Sequence, residues 1–259
     1  MSTLTLAALA TLVFCAPGNP GGSGDAQPYV DQFAKAAAAS AGWKPDSLGA
    51  IYDPTDPGSL AKLGDKDSVL AFVPYAFYVQ HAAALHLSPL AQVEVTGVGS
   101  AERWTLVGKA GGPVTGPASM TGYTILSVAG YAPEFVKHSA LAAWGPLPAD
   151  VKIEATGQIL SALRRVASGE PVLALLDQTQ TAALPTLPFA AQLKTLAQSA
   201  AVPVALITVV DARVPAARAK AFQAGLIKLS STSDGAQMLA SLKLKGFILP
   251  QLPGNAGKP

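Results

Sequence analysis

Runs of mostly apolar residues, each closed by a turn residue, recur along this chain and restrict its fold more than any other feature. Ala10–Cys15, 48–52, 68–73 and Val172–Leu176 place hydrophobic side chains on successive rather than alternate positions. A strand buried on both faces reads this way, and such strands belong to sheets covered by helices on both sides. Helical stretches lie between them. Asp25 is expected to cap a helix over 26–40, with Pro28 in its first turn and Val30, Phe33, Ala34 and Ala37 on one face. A short helix over 59–63 and another opened by Pro74 complete a β-α-β-α-β-α order, the pattern of an α/β fold.

From residue 92 to 106 the texture turns extended, with Gly97 and Gly99 marking a turn or bulge, and a strand pair is expected. After the Gly/Pro break at 111–117 a second α/β unit begins. It reads as a helix start running into a strand over 121–131, a strand at 140–144, a helix over 156–168, then the Val172–Leu176 strand, a helix at Gln178–Ala183 and a strand at Leu193–Gln198. A β-branched run at 202–209 and helices over 215–229 and 233–242 follow, with a last extended piece at 246–249. Two extended crossings suit a chain that leaves one lobe, builds a second and returns. The expected lobes are 1–112 with 203–259, and 113–202. Ligands of open α/β sheets bind at the carboxyl ends of strands, here in a cleft between the lobes.

Composition narrows the function classes. Net charge is +2, 13% of residues are charged, and the basic residues form no stripe with interleaved aromatics, which excludes a nucleic-acid surface. One cysteine rules out a disulfide framework or a Cys-rich metal site. His81 and His86 are five apart and share no helix face, so neither metal nor cofactor is expected. The apolar run at 4–16 is too short for a membrane span and lacks the basic start of a secretory signal, so Ala10–Cys15 is expected as a buried first strand rather than a signal or lipid-anchor segment.

Four features can carry chemistry. The loop 18–24, with Asn19, lies between a strand and a helix and could cradle an anion or simply connect. In Gly116-Pro117-Ala118-Ser119-Met120-Thr121-Gly122-Tyr123, the hydroxyls of Ser119 and Thr121 could hold an oxyanion or cap a helix. Ser119 outside a Gly-x-Ser-x-Gly elbow leaves a serine hydrolase or transferase as an alternative of another class. Asp177 closes an apolar strand, where it could reach the cleft or cap the next helix; Tyr52 also ends a strand, and Tyr75 falls in an aromatic cluster around Pro74 that could pack in the core or line the cleft.

These pieces resemble the periplasmic solute-binding proteins of ABC importers, of the phosphonate/phosphite-binding (PhnD-like) type. The resemblance rests on the Ala-Pro-Gly loop at Ala16, on Val69-Leu70-Ala71-Phe72-Val73-Pro74, on the Gly116 to Tyr123 stretch, on Ser168-Gly169-Glu170-Pro171-Val172-Leu173-Ala174 leading to Asp177, and on Leu244-Lys245-Gly246-Phe247. It implies a two-lobed type II fold, each lobe an α/β sandwich with a mostly parallel sheet, and a non-enzymatic monomer in the periplasm that hands a small ligand to a membrane-embedded ABC permease. It implies that Ser119, Thr121 and Gly122 hold phosphonate oxygens, with Tyr52, Tyr75 and Asp177 around them. Met120 stands where the family's loop carries a middle hydroxyl. Fewer polar anchors would suit a larger apolar ligand, such as a lipid or sterol with one polar head.

Overall fold

The computed structural model describes residues 10–18 and 22–253. Strand β1 (Ala10–Cys15) buries Leu12, Val13, Phe14 and Cys15 in succession, as its unbroken apolar run requires. Helix α1 (Ser23–Ser40) follows the Ala16-Pro17-Gly18 turn. It starts earlier than expected, so Asp25 sits inside the first turn, where its charge complements the helix dipole instead of capping. Strand β1 is flanked by two parallel strands, β2 (Leu48–Asp53) at the sheet edge and β3 (Ser68–Pro74) on its other side, with α2 (Asp56–Gly64) between these two in sequence. Helix α3 (Tyr75–His81) leads to β4 (Leu87–Val95).

The chain then crosses through β5 (Ala101–Glu102) into β6 (Thr105–Lys109), the first strand of a second sheet. That sheet is completed by β7 (Thr124–Ser127), β8 (Lys152–Ala155), β9 (Val172–Leu176) and β10 (Leu193–Gln198) in the order β10-β6-β9-β7-β8. Its helices are α4 (Pro133–Phe135), which widens into a π-helical turn over Val136–Ala140, α5 (Ile159–Ser168) and α6 (Gln178–Ala183). Strand β11 (Val202–Pro203) pairs with β5 at the return crossing. Strand β12 (Ala205–Val210), helices α7 (Ala216–Lys228) and α8 (Ser233–Ser241) and strand β13 (Leu244–Ile248) finish the first lobe, whose sheet runs β13-β4-β12-β3-β1-β2.

Both sheets are mixed. In the first, β1 to β4 point one way and β12 and β13 the other. In the second, only β6 is reversed. The first strand to enter each sheet from the other lobe, β6 or β12, arrives from the opposite end and pairs antiparallel. Strand β6 lies in the second sheet although its residues fall within the 1–112 segment.

Three local expectations give way. No strand forms at 140–144: Pro133 starts a helix, and Ala140 and Leu141 are buried where it ends. No helix starts at Thr121, because a 3-10 turn over Pro117–Met120 leads straight into β7. The extended residues 92–106 are not one hairpin but the end of β4, a tight turn bridged by Val95 and Gly99, and two short strands.

Three apolar cores hold these layers. Phe33 of α1, Phe222 of α7 and Leu12 of β1 pack on one face of the first sheet, and Leu163 and Val166 of α5 cover the second. The largest core joins the lobes: Phe77, Trp104, Met120, Ile125 and Phe135 belong to one continuous cluster. Fully burying a side chain such as Phe135 stabilises by about 1.5–3 kcal/mol, so this seam fixes how the lobes meet.

Candidate functional site

A cavity of about 480 Å³ lies between the lobes, where the carboxyl ends of strands from both sheets converge. The first lobe contributes Cys15, Ala16 and Pro17 after β1, Tyr52 near the end of β2, and Tyr75 after β3. The second contributes Val128, Ala129 and Tyr131 after β7, and Asp177 after β9. The crossing adds Glu102 of β5 and Trp104, in the link between β5 and β6. Phe14, Phe72, Val95, Val98, Leu242 and Leu244 make much of the remaining wall, which is therefore largely apolar.

The loops reach the cavity for local reasons. Gly18 adopts φ +83°, and a Cβ there would collide with the Val128 carbonyl oxygen, so the β1 loop meets the β7 loop across the cleft only with glycine in that place. Across the same seam the Glu134 backbone N–H donates to Gln80 Oε1 at 3.0 Å. Asp177 does both things its position allows. Its Oδ1 accepts from the Gln180 N–H at 2.7 Å, the Gln180 side chain accepts the Asp177 N–H at 3.2 Å, and the residue still borders the cavity.

The polar groups of the cavity are neutral donors and two acids. Tyr75 is 2% exposed, yet its hydroxyl makes no hydrogen bond to any other described residue. Burial, reinforced by Tyr78, pushes its pKa up to about 12. Burial raises Tyr131 as well, helped by Asp56 and Cys15, and it raises Tyr52, helped by Asp53. All three phenols are protonated donors at neutral pH. Cys15 is pushed up to about 12, first by burial and further by Asp53 and Asp56, against a hydrogen bond with Ser59, so it is an inert thiol. Glu102 is pushed up to about 7, first by burial and then by Asp177, while the Gln178 N–H and the Trp104 side chain oppose the shift. Asp177 is raised by burial against the Gln180 and Thr179 N–H groups. No Lys, Arg or His borders the cavity among the described residues.

Of the residues singled out from sequence, Tyr52, Tyr75 and Asp177 meet on this cavity. Ser119, Thr121 and Gly122 do not. Their turn precedes β7, at the amino end of the strand, and the cavity lies beyond its carboxyl end. The Ser119 hydroxyl donates to the Gly116 carbonyl at 2.7 Å and accepts the N–H groups of Thr115 and Gly116 at 3.0 and 3.2 Å. Thr121 is exposed, and the Gly122 N–H donates to Asp150 Oδ2 at 2.7 Å. Met120 is core, with the Trp144 indole N–H on its sulfur at 3.3 Å. The hydroxyl pattern thus builds a turn, and Ser119 has no histidine beside it: His81 bonds Asp56 at 2.8 Å and His138 bonds Glu134 at 3.3 Å. Asn19 lies outside the described residues.

Sequence reasoning missed Glu102, Trp104 and Tyr131. Two signals mark them: an acid and a tryptophan inside an otherwise apolar crossing, and Gly130-Tyr131-Ala132-Pro133 directly after a buried strand. Among the described residues no group of three His, Cys, Asp or Glu side chains could hold a metal, and no helix is long and apolar enough to cross a membrane.

The sequence matches the family described as "ABC transporter, phosphonate, periplasmic substrate-binding protein" over residues 63–252. None of the curated proteins matches it. Solved structures share its fold at low identity. XAC2383 from Xanthomonas citri, bound to ATP, is 13% identical with a TM-score of 0.67, covering 95% of this chain and 92% of that one. A binding protein component of an ABC phosphonate transporter from Pseudomonas aeruginosa is 14% identical with a TM-score of 0.61, over 93% and 82%. PhnD1 from Prochlorococcus marinus, in complex with methylphosphonate, is 13% identical with a TM-score of 0.59, over 94% and 93%.

Proposed function

We propose, because the chain belongs to the phosphonate family of ABC-transporter periplasmic substrate-binding proteins, that its interlobe cavity captures a small organic oxyanion and presents it to a membrane-embedded permease. The observation that carries this reading is the cavity at the carboxyl ends of both sheets, with Tyr75 on its lining and the Tyr75 hydroxyl bonded to no other described residue. A ligand oxygen that accepts from this hydroxyl gains about 0.5–1.5 kcal/mol. Tyr52, Tyr75 and Tyr131 donate to the ligand head, and Asp177 closes the site while capping α6. The apolar wall takes the organic substituent. The lobes close over the ligand by bending at the β5–β11 crossing. The protein acts as a monomer in the periplasm and catalyses nothing.

Methylphosphonate, phosphite, phosphate and longer alkylphosphonates, tested by calorimetry on the purified protein, check this. Saturable binding that strengthens with the alkyl chain supports it; no binding of any of them removes it. The low polarity of the wall favours a second reading, in which the ligand is a lipid or sterol with a single polar head. Mass spectrometry of an organic extract of the purified protein decides that one, since a bound lipid would be carried into the extract.

A further inference from the structure

We propose that Glu102 sets the charge of the ligand head: the cleft accepts a singly charged oxyanion against a protonated Glu102, which donates a hydrogen bond to it, and turns away a doubly charged one. This rests on the reading of the cavity as an oxyanion site and adds to it a rule of selection. Two carboxyl groups, Glu102 and Asp177, border the cavity, and no cation borders it among the described residues. An anion brought there loses water and meets no compensating positive charge. The donors available to it are neutral, foremost the Tyr75 hydroxyl, which bonds no other described residue.

The surroundings single out Glu102 as the acid that takes the proton. From the second lobe it faces Asp177 and the Gln178 N–H, and on its own strand side the Trp104 side chain. Arg103, its neighbour in sequence, is turned to the Ser199 carbonyl, to which it donates at 2.8 Å. The paired strand brings only Val202 and Pro203, and the other titratable groups of the cavity are the Tyr29, Tyr52, Tyr75 and Tyr131 phenols and the Cys15 thiol, of which burial holds Tyr52, Tyr75, Tyr131 and Cys15 protonated at neutral pH. Asp177 accepts two backbone N–H groups that favour its ionised form, whereas burial and Asp177 together push Glu102 up to about 7. An anion in the cleft raises it further, so binding takes up a proton from solvent.

Calorimetry with the monomethyl ester of methylphosphonate, which stays singly charged throughout, tests this between about pH 5.5 and about pH 8.5. The wild-type affinity should fall about tenfold per pH unit above neutrality, close to 30-fold in all. Glu102→Gln, a neutral isostere, should bind with the acid-limit affinity at every pH. Repeating the wild-type titration near pH 8 in buffers of different ionisation heat should report uptake of about one proton, a reading that needs no variant. A flat wild-type profile, equal slopes in both proteins, or no proton uptake overturns the proposal while leaving the oxyanion site standing. No binding of the ester, or of any phosphonate, at any pH overturns the oxyanion reading and this proposal with it.

Discussion

The ring of Phe135 stands edge-on to that of Trp104, with centroids 5.2 Å apart and planes at 74°. Phe135 comes from the second lobe, Trp104 from the crossing, and Tyr75 of the first lobe approaches the same ring at 6.2 Å and 87°. One side chain therefore packs against the hinge and both lobes. Phe135→Ala should lower unfolding free energy by about 3–5 kcal/mol, because the rings around it cannot collapse without moving a lobe. Urea unfolding measures this, and a loss under about 1 kcal/mol would mean the seam is not packed as described.

Gly18→Ala should act on closure more than on folding. The new methyl group meets the Val128 carbonyl across the cleft, and the positive φ costs a further 1 kcal/mol or so. Ligand affinity is expected to drop by about tenfold or more, with a larger radius of gyration in solution scattering in the presence of ligand. Unchanged affinity would show that the two loops need not meet.

Tyr75→Phe removes a hydroxyl that bonds no other described residue, so stability should hold within about 0.5 kcal/mol. Affinity for an oxyanion ligand should fall about five- to tenfold, the worth of one hydrogen bond. The split between unchanged melting and weakened binding is the signature. A variant that melts much lower but binds normally would point to a structural role instead.

Asp177→Ala should cost about 1 kcal/mol through loss of the capping bond to Gln180, and Asp177→Asn, which keeps an acceptor there, should cost less. Equal losses in the two variants would place the effect on the charge rather than on the cap.

Stability should depend on pH with a definite sign. The folded pKa of Glu102, about 7, lies above its ordinary value of 4.5, so between these the native state binds more protons than the unfolded chain. The stabilisation is therefore fully present in acid and is lost as pH rises towards about 7. Asp177, also raised by burial, adds in the same direction. Glu102→Gln should flatten the upper part of the profile and be more stable than wild type near pH 8 by upwards of about 1 kcal/mol. Parallel profiles in wild type and variant would mean that Glu102 is not buried in a low dielectric.

The sheets are legible in the sequence wherever a strand is buried on both faces, as in β1, β3 and β9, since nothing but an apolar run fits there. Strand β8 is not legible: Lys152-Ile153-Glu154-Ala155 pairs only with β7 at the sheet edge, with mostly exposed side chains that carry no hydrophobic signal. For the cavity lining, Tyr52 and Asp177 were legible because strand ends locate a cleft, and Tyr75 because it follows a buried strand at Pro74. Ser119 and Thr121 misled because hydroxyls that bind an anion and hydroxyls that close a turn look alike until the turn is known to precede its strand. Glu102 was invisible because its surroundings are assembled from Trp104, Asp177 and Gln178, and the latter two are far away along the chain.

The threading of β12 between β3 and β4 also sets an order of assembly. The second sheet draws its strands from residues 105–198, an unbroken stretch that can pair as soon as it has been synthesised. The first sheet must wait. Among the described residues the sheet neighbours of β4 are β12 and β13, and both are made after the whole second lobe. Until residue 205 emerges, β3 and β4 present open edges to one another with the strand that should join them still missing, and open edges of this kind invite pairing with other chains. The lobe whose strands come first in the chain is the one completed last.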